Sequence, residues 1–123
     1  MSRRPKYNPK TDSNHRIVPE FIESIGGRYA GLDLDCMDIS KRGGRRVDWI
    51  LWLGPLAIAV EVKTPSEYRR KNCGMTKGER EFFDTNPGPK ALVVTEADIM
   101  EILANHLDMA YALQVALDGE CPY

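Results

Sequence analysis

With 123 residues, 42% of them hydrophobic, the chain is long enough for one domain with a core of its own and too short for two. Its net charge of −1 hides an uneven spread: all 17 Lys and Arg lie at or before Lys90, leaving residues 1–90 with 17 bases against 12 acids and residues 91–123 with six acids and no base. The longest apolar run, 49–60, is interrupted by Gly54-Pro55 and no apolar run follows the basic start, so neither a membrane span nor a secretory signal is expected and the reading is cytoplasmic.

Residues 1–11 are basic, polar and proline-containing, and read as a mobile arm. Asp12 and Ser13 are candidate N-caps for a first helix in which Ile17, Val18, Phe21, Ile22 and Ile25 recur at helical spacing. Pro19 fits only in its first turn or at a bend, and Gly26-Gly27 ends it. Residues 28–34 are a weakly signalled strand. A Gly- and Arg-rich loop, 41–46, leads into the nearly all-apolar 47–53, which suits a central strand covered on both faces, with Trp49 and Trp52 as core residues on opposite sides. Gly54-Pro55 is a turn, and 56–63 is the next strand. Ile58, Val60 and Val62 share one of its faces; Ala57, Ala59, Glu61 and Lys63 share the other.

Residues 64–74 read as a polar loop. Thr76, with Glu79 three residues on, has the pattern of a capping box opening a second helix that stops near 86–89. A short buried strand at 91–94 follows. Thr95 caps a helix containing Ile99, Ile102 and Leu103, and a last helical stretch spans 107–117. The domain plan is an arm at 1–11, a core at 12–105 and a helical extension at 106–123. Cys36, Cys73 and Cys121 are too scattered for a zinc site or a disulfide framework, and are expected as reduced thiols.

The residues that carry chemistry come from the hairpin. An even-numbered loop centred on Gly54-Pro55 sets Leu53 opposite Leu56, and counting outward sets Asp48 opposite Glu61, with Lys63 on the same face. Paired carboxylates repel unless a cation or a shared proton lies between them. Oxygen ligands so spaced suit Mg2+ or Mn2+, with the Val62 carbonyl as a further donor. Such an ion can activate a water and polarise a phosphoryl oxygen, while Lys63 orients the water or stabilises transition-state charge. By itself an Asp followed by Glu-x-Lys is common by chance and could be a surface ion-pair set. Placing the carboxylates in apolar segments, where an unpaired charge costs several kcal/mol, shifts the balance.

These residues resemble the PD-(D/E)-x-K nuclease superfamily: Val47-Asp48, then Glu61-Val62-Lys63, on the second and third strands of an α-β-β-β-α-β order. More narrowly, residues 12–103 are similar to small phage-type nucleases near the VRR-NUC and Holliday-junction-resolvase-like groups. That likeness includes Asp12-Ser13-Asn14, Gly26-Gly27, Gly43-Gly44, Met75-Thr76 and Thr95-Glu96-Ala97. The resemblance implies an α/β, restriction-endonuclease-like core (αβββαβα) with a mixed sheet of about four strands. It further implies Mg2+-dependent endonuclease cleavage of DNA by Asp48, Glu61 and Lys63, a phage or prophage source, and a homodimer. Three positions depart from the pattern: Val47 stands in place of Pro, Arg80 in place of a Gln on the second helix, and His15 follows Asn14 where Gln or Glu is usual.

Candidate DNA contacts are Asn14, Arg45, Arg46, Arg69, Arg70, Lys71, Lys77 and Arg80, whose charges can neutralise phosphates; as loop charges they need no such role. Glu20 and Glu23 are expected to face solvent. The rival reading is a non-catalytic nucleic-acid-binding module on the same scaffold. A third is a protein-interaction factor using its acidic C-terminal segment.

Overall fold

The computed structural model describes residues 14–40 and 47–119. The expected arm, the Asp12–Ser13 cap and the loop carrying Arg45 and Arg46 lie outside them. Helix α1 is Ile17–Ser24, with Pro19 in its first turn, where its missing N–H is not needed. It ends at Gly26 and Gly27, at φ 75° and 73°, and the Gly27 N–H donates to the Ile22 carbonyl.

Five strands follow among the described residues, one more than expected: β1 Arg28–Tyr29, β2 Leu32–Asp38, β3 Trp49–Leu53, β4 Leu56–Val62 and β5 Lys90–Val93. The stretch expected as one strand over 28–34 is a small hairpin that turns at Ala30-Gly31, both at positive φ, and continues to Asp38. Along β2, buried Leu32 and Leu34 alternate with exposed Asp33 and Asp35, the period of a half-buried strand. The sheet runs in chain order, β1 to β5. The first three pairings are antiparallel, and β4 and β5 are parallel.

A parallel pair needs a crossover, and residues between β4 and β5 provide it. Where a polar loop was expected, this segment holds a short helix α2, Pro65–Tyr68, and a 3-10 turn, Lys71–Gly74, before helix α3, Lys77–Thr85. Helix α4, Glu96–Gly119, is one unbroken element through 105–106 rather than two stretches.

Strand β4 divides the molecule. Its Ile58, Val60 and Val62 join the core with Val18 and Phe21 of α1, Leu51 and Leu53 of β3, Val93 of β5, and Ile99, Ile102 and Leu103 of α4. Its other face presents Ala59, Glu61 and then Lys63, which meets Glu79 of α3. β4 is therefore buried on both faces over 58–62, whereas β3 is not. Trp49 is in the core, but Trp52 is 37% exposed on the opposite face, where no described helix covers it. Among the described residues, no helix is long and apolar enough to cross a membrane.

Candidate functional site

The hairpin register is the one the turn predicts: Leu53 pairs with Leu56 and Trp49 with Val60. Gly54 makes the two-residue turn possible with φ 57°, as the first position of such hairpins demands. One residue further the expected opposition of Asp48 and Glu61 gives way. The Asp48 N–H donates to the carbonyl of Val60, the residue already paired with Trp49 (3.1 Å). The ladder has slipped here, as it does at a bulge. The Val62 N–H then finds an acceptor in Asp48 Oδ2 at 2.9 Å, in place of a backbone carbonyl of the neighbouring strand. Asp48 is thus tied to β4 by its side chain.

Strand alternation places the next groups. Lys63 gives its N–H to Val93 on the β5 side (2.9 Å), so the N–H and C=O of Val62 are directed to the β3 side, toward Asp48. Both residues line a cleft of about 220 Å³, together with Asn14, His15, Thr64, Glu67 and Glu79.

Beneath the cleft lies a buried charge cluster. Lys63 Nζ stands 3.3 Å from Glu61 Oε2 and 3.0 Å from Glu79 Oε1. Glu61 is only 2% exposed, and its Oε1 is buried with no hydrogen-bond partner among the described residues. Burial raises the Glu61 carboxyl to a pKa of about 9, and the neighbouring charges of Asp48 and Glu79 push the same way against Lys63. For Glu79 burial also raises the pKa, but the Thr76 amide and Lys63 outweigh it and hold the carboxyl below its ordinary value. For Lys63 burial favours the neutral amine, yet the hydrogen bond and charge of Glu79, with the charge of Glu61, hold it above its ordinary value. At neutral pH the cluster is a Lys63–Glu79 ion pair beside a protonated Glu61, with no net charge. That is the cheapest way to bury three ionisable groups together.

Glu79 is the site residue that sequence reasoning missed. Its capping box is present: Thr76 Oγ1 accepts from the Glu79 N–H, and Glu79 Oε1 accepts from the Thr76 N–H at 2.9 Å. The same Oε1 receives Lys63, so one carboxylate both starts α3 and anchors the lysine. A matching box, Thr64 with Glu67 and Pro65 at the first helical position, opens α2 directly after Lys63. Its Thr-x-x-Glu pattern is legible in the sequence within the stretch expected as a polar loop.

The remaining predicted residues divide. Asn14 lines the cleft, but its Nδ2 is spent on the Lys63 carbonyl at 2.5 Å, fixing the end of β4. Arg69 and Arg70 are exposed on the connector between α2 and the 3-10 turn, Lys71 is exposed at the start of that turn, and Lys77 and Arg80 are exposed on α3. These five belong to the crossover that supplies Glu67 and Glu79 to the cleft. His15 packs against Trp49 with ring centroids 5.2 Å apart and reaches Asp38 at 3.4 Å. Glu20 is exposed and paired with Arg16, and Glu23 is exposed; neither lines the cleft.

Asp48, Glu61 and the Val62 carbonyl carry oxygens, the donor type that hard divalent ions prefer, and Glu61 Oε1 is a buried side-chain oxygen without a hydrogen-bond partner among the described residues. No group of three or more His, Cys, Asp or Glu side chains suited to a metal occurs among the described residues. Compared with protein-family models, curated proteins and solved structures, the chain matches none.

Proposed function

We propose that the chain is a metal-dependent nuclease acting on DNA phosphodiesters, in the manner of the PD-(D/E)-x-K enzymes its motif resembles. The observation that supports this best is the Glu61 carboxyl. It is buried with one oxygen unpartnered, within electrostatic reach of Asp48, and next to a lysine held in place by a second glutamate. Structural ion pairs seldom leave a buried oxygen unsatisfied, and functional sites often do.

Asp48, Glu61 and the Val62 carbonyl would hold Mg2+, with Mn2+ as substitute. Bound there, the ion would lower the pKa of a coordinated water and polarise a phosphoryl oxygen. Lys63 supplies a compact cation whose donors orient a water or stabilise charge at the phosphorus. Glu79 keeps Lys63 charged and aimed. Arg69, Arg70, Lys71, Lys77 and Arg80 offer phosphate contacts beside the cleft.

The rival reading, a nucleic-acid-binding module without catalysis, is favoured by one feature: Lys63 is already engaged by the carboxyl groups of Glu61 and Glu79. Plasmid, single-stranded and four-way-junction DNA, incubated with Mg2+, Mn2+ or EDTA, separates the two. Asp48→Ala, Glu61→Ala and Lys63→Ala should each lower cleavage by about 10²-fold or more. Asp48→Ala should also abolish Mn2+ binding measured by calorimetry. Equal cleavage by wild type and all three variants marks a contaminant and ends the enzyme reading. No Mn2+ binding, with DNA affinity unchanged in Asp48→Ala, selects the binding module.

A further inference from the structure

His15 lies just before α1 and forms part of the cleft wall, with its side chain 26% exposed. Among the described residues that line the cleft, it is the one side chain able to carry a positive charge. The other ionisable groups in the wall are carboxyls that already accept hydrogen bonds: Asp48 from the Val62 amide, Glu67 from the Thr64 amide and Glu79 from Lys63. The Lys63 ammonium itself lies beneath, between Glu61 and Glu79.

Three neighbours hold the imidazole. Asp38, the last residue of β2, pairs in register with Trp49 of β3. Its Oδ2 stands 3.4 Å from His15 Nε2, while its Oδ1 accepts from the Ser40 N–H at 2.8 Å and from the Ser40 hydroxyl at 2.6 Å. Ser40 Oγ lies 3.5 Å from the same Nε2. Trp49 sets its ring against the imidazole, and its Nε1 donates to the His15 carbonyl at 3.0 Å. Trp49 follows Asp48 directly, so β3 carries both the proposed metal ligand and the support of His15. Burial raises the Asp38 carboxyl, but the hydrogen bonds of Ser40 and the bond and charge of His15 outweigh it and hold the group below its ordinary value. A carboxylate at one imidazole nitrogen fixes the tautomer and stabilises the imidazolium when it forms. With Nε2 directed to Asp38, the second nitrogen, Nδ1, has no hydrogen bond with a described residue.

We infer that His15, backed by Asp38, is the general acid of the proposed hydrolysis and protonates the oxygen that leaves phosphorus. The inference rests on the nuclease reading. Asp48 and His15 line one cleft of about 220 Å³, so a phosphate seated there faces both. Water forms the new P–O bond and gives one proton to solvent. The P–O bond to the leaving group breaks, its electron pair stays on that oxygen, and the proton of His15 makes it an alcohol. Solvent then returns a proton to the ring. One phosphodiester and one water thus give a phosphomonoester and an alcohol.

The test sets duplex DNA with its ordinary bridging oxygens against duplexes carrying sulfur at the 3′ or the 5′ bridging position of one phosphate, in Mn2+. A thiol, with a pKa of about 8.5, leaves as its anion without a proton, whereas an alcohol needs one. His15→Ala, and His15→Gln, which keeps a donor for Asp38, should lower single-turnover cleavage of the oxygen-linked duplex by about 10²-fold or more. Where sulfur occupies the leaving position the loss should shrink to less than about fivefold. Asp38→Asn should show the same preference with a smaller loss, and Lys63→Ala should lose on both substrates alike. In EDTA the His15 variants should bind the oxygen-linked duplex as wild type does by fluorescence anisotropy, and calorimetry should show their Mn2+ binding intact. Equal losses on both substrates, sulfur rescue of Lys63→Ala as full as that of His15→Gln, lost Mn2+ binding, or a fall in DNA affinity that accounts for the whole effect each overturns the general acid and leaves the nuclease reading standing. If wild type cleaves neither kind of DNA, the nuclease reading fails and this inference with it.

Discussion

Glu61 is the residue whose chemistry is most at odds with its position. A carboxyl raised by burial to a pKa of about 9 binds a proton in the folded chain that it has released in the unfolded chain, throughout the range between its ordinary value and 9. Stability from this group is full below its unfolded pKa and is lost as pH rises through the folded one. The other displaced groups act elsewhere. Glu79 and Asp38 are lowered, so their contributions fade in acid; Lys63 is raised, so its contribution fades above its ordinary 10.5; the Cys36 thiol, pushed up to about 11 chiefly by burial, acts above 9. Of these five groups, only Glu61 has its window between about pH 5 and 9. The unfolding midpoint in urea should fall steadily across that window for the metal-free protein, and Glu61→Gln should flatten it. A wild-type midpoint that is level or rises with pH would mean that Glu61 is ionised in the fold.

At the scale of elements, the crossover between β4 and β5 does most to build the site, and one glycine holds it together. Asn72, Cys73 and Gly74 all take left-handed backbone angles, at φ 58°, 55° and 75°. This brings the chain back on itself between α2 and α3, so that a Cβ added to Gly74 would lie 2.5 Å from the Glu67 carbonyl oxygen. Side chains do not approach backbone oxygens so closely, and alanine is also penalised at positive φ. Gly74→Ala should cost about 2–4 kcal/mol in denaturant unfolding. Gly26→Ala, also at positive φ but with open space around it, should cost only about 1–2 kcal/mol. Equal losses at both positions would show that backbone strain, and not the Glu67 contact, governs Gly74.

Elements with a local code could be read before the fold was known. The Gly54-Pro55 turn, with its register as far as Trp49, and the Thr76–Glu79 box are patterns within a few residues, and the structure realises both. What could not be read depends on partners far along the chain. The bulge-like slip at Asp48 goes with a bond from the Val62 N–H to its side chain, fourteen residues away. Glu79 looked fully explained by Thr76, and only the docking of α3 on β4 brings Lys63 to the same oxygen. Trp52 reads as core by hydropathy, but its exposure reflects a sheet face that no described helix covers.

On the scale of the whole molecule, bases are confined to residues 1–90, and the fold gathers five exposed ones on one connection. Of the described exposed bases, Arg69, Arg70, Lys71, Lys77 and Arg80 lie on the β4–β5 crossover, which walls the cleft through Glu67 and Glu79, while Arg16 at the start of α1 and Arg28 in β1 lie elsewhere. The acids of residues 91–123 are carried chiefly by α4, which packs with α1 against the opposite, Ile58–Val60–Val62 side of the sheet. For the proposed DNA contact, the crossover bases are the cations beside the cleft, and the acids of α4 lie on the side away from it. Each phosphate neutralised by a base releases counterions, and log affinity falls with log salt by about 0.9 per contact on duplex DNA. Replacing Arg69, Arg70 and Lys71 together with Ala should weaken binding and reduce that slope by up to about 3, if all three touch phosphates. Replacing Glu101 and Asp108 of α4 with Gln and Asn should leave the slope unchanged, because those residues lie on the side away from the cleft. Fluorescence anisotropy on a short duplex between 50 and 300 mM salt, in EDTA to prevent cleavage, measures both. The slopes must differ between the two variants. If the triple variant keeps the wild-type slope, the crossover bases are solvated charges, and any DNA affinity the chain has must come from bases elsewhere.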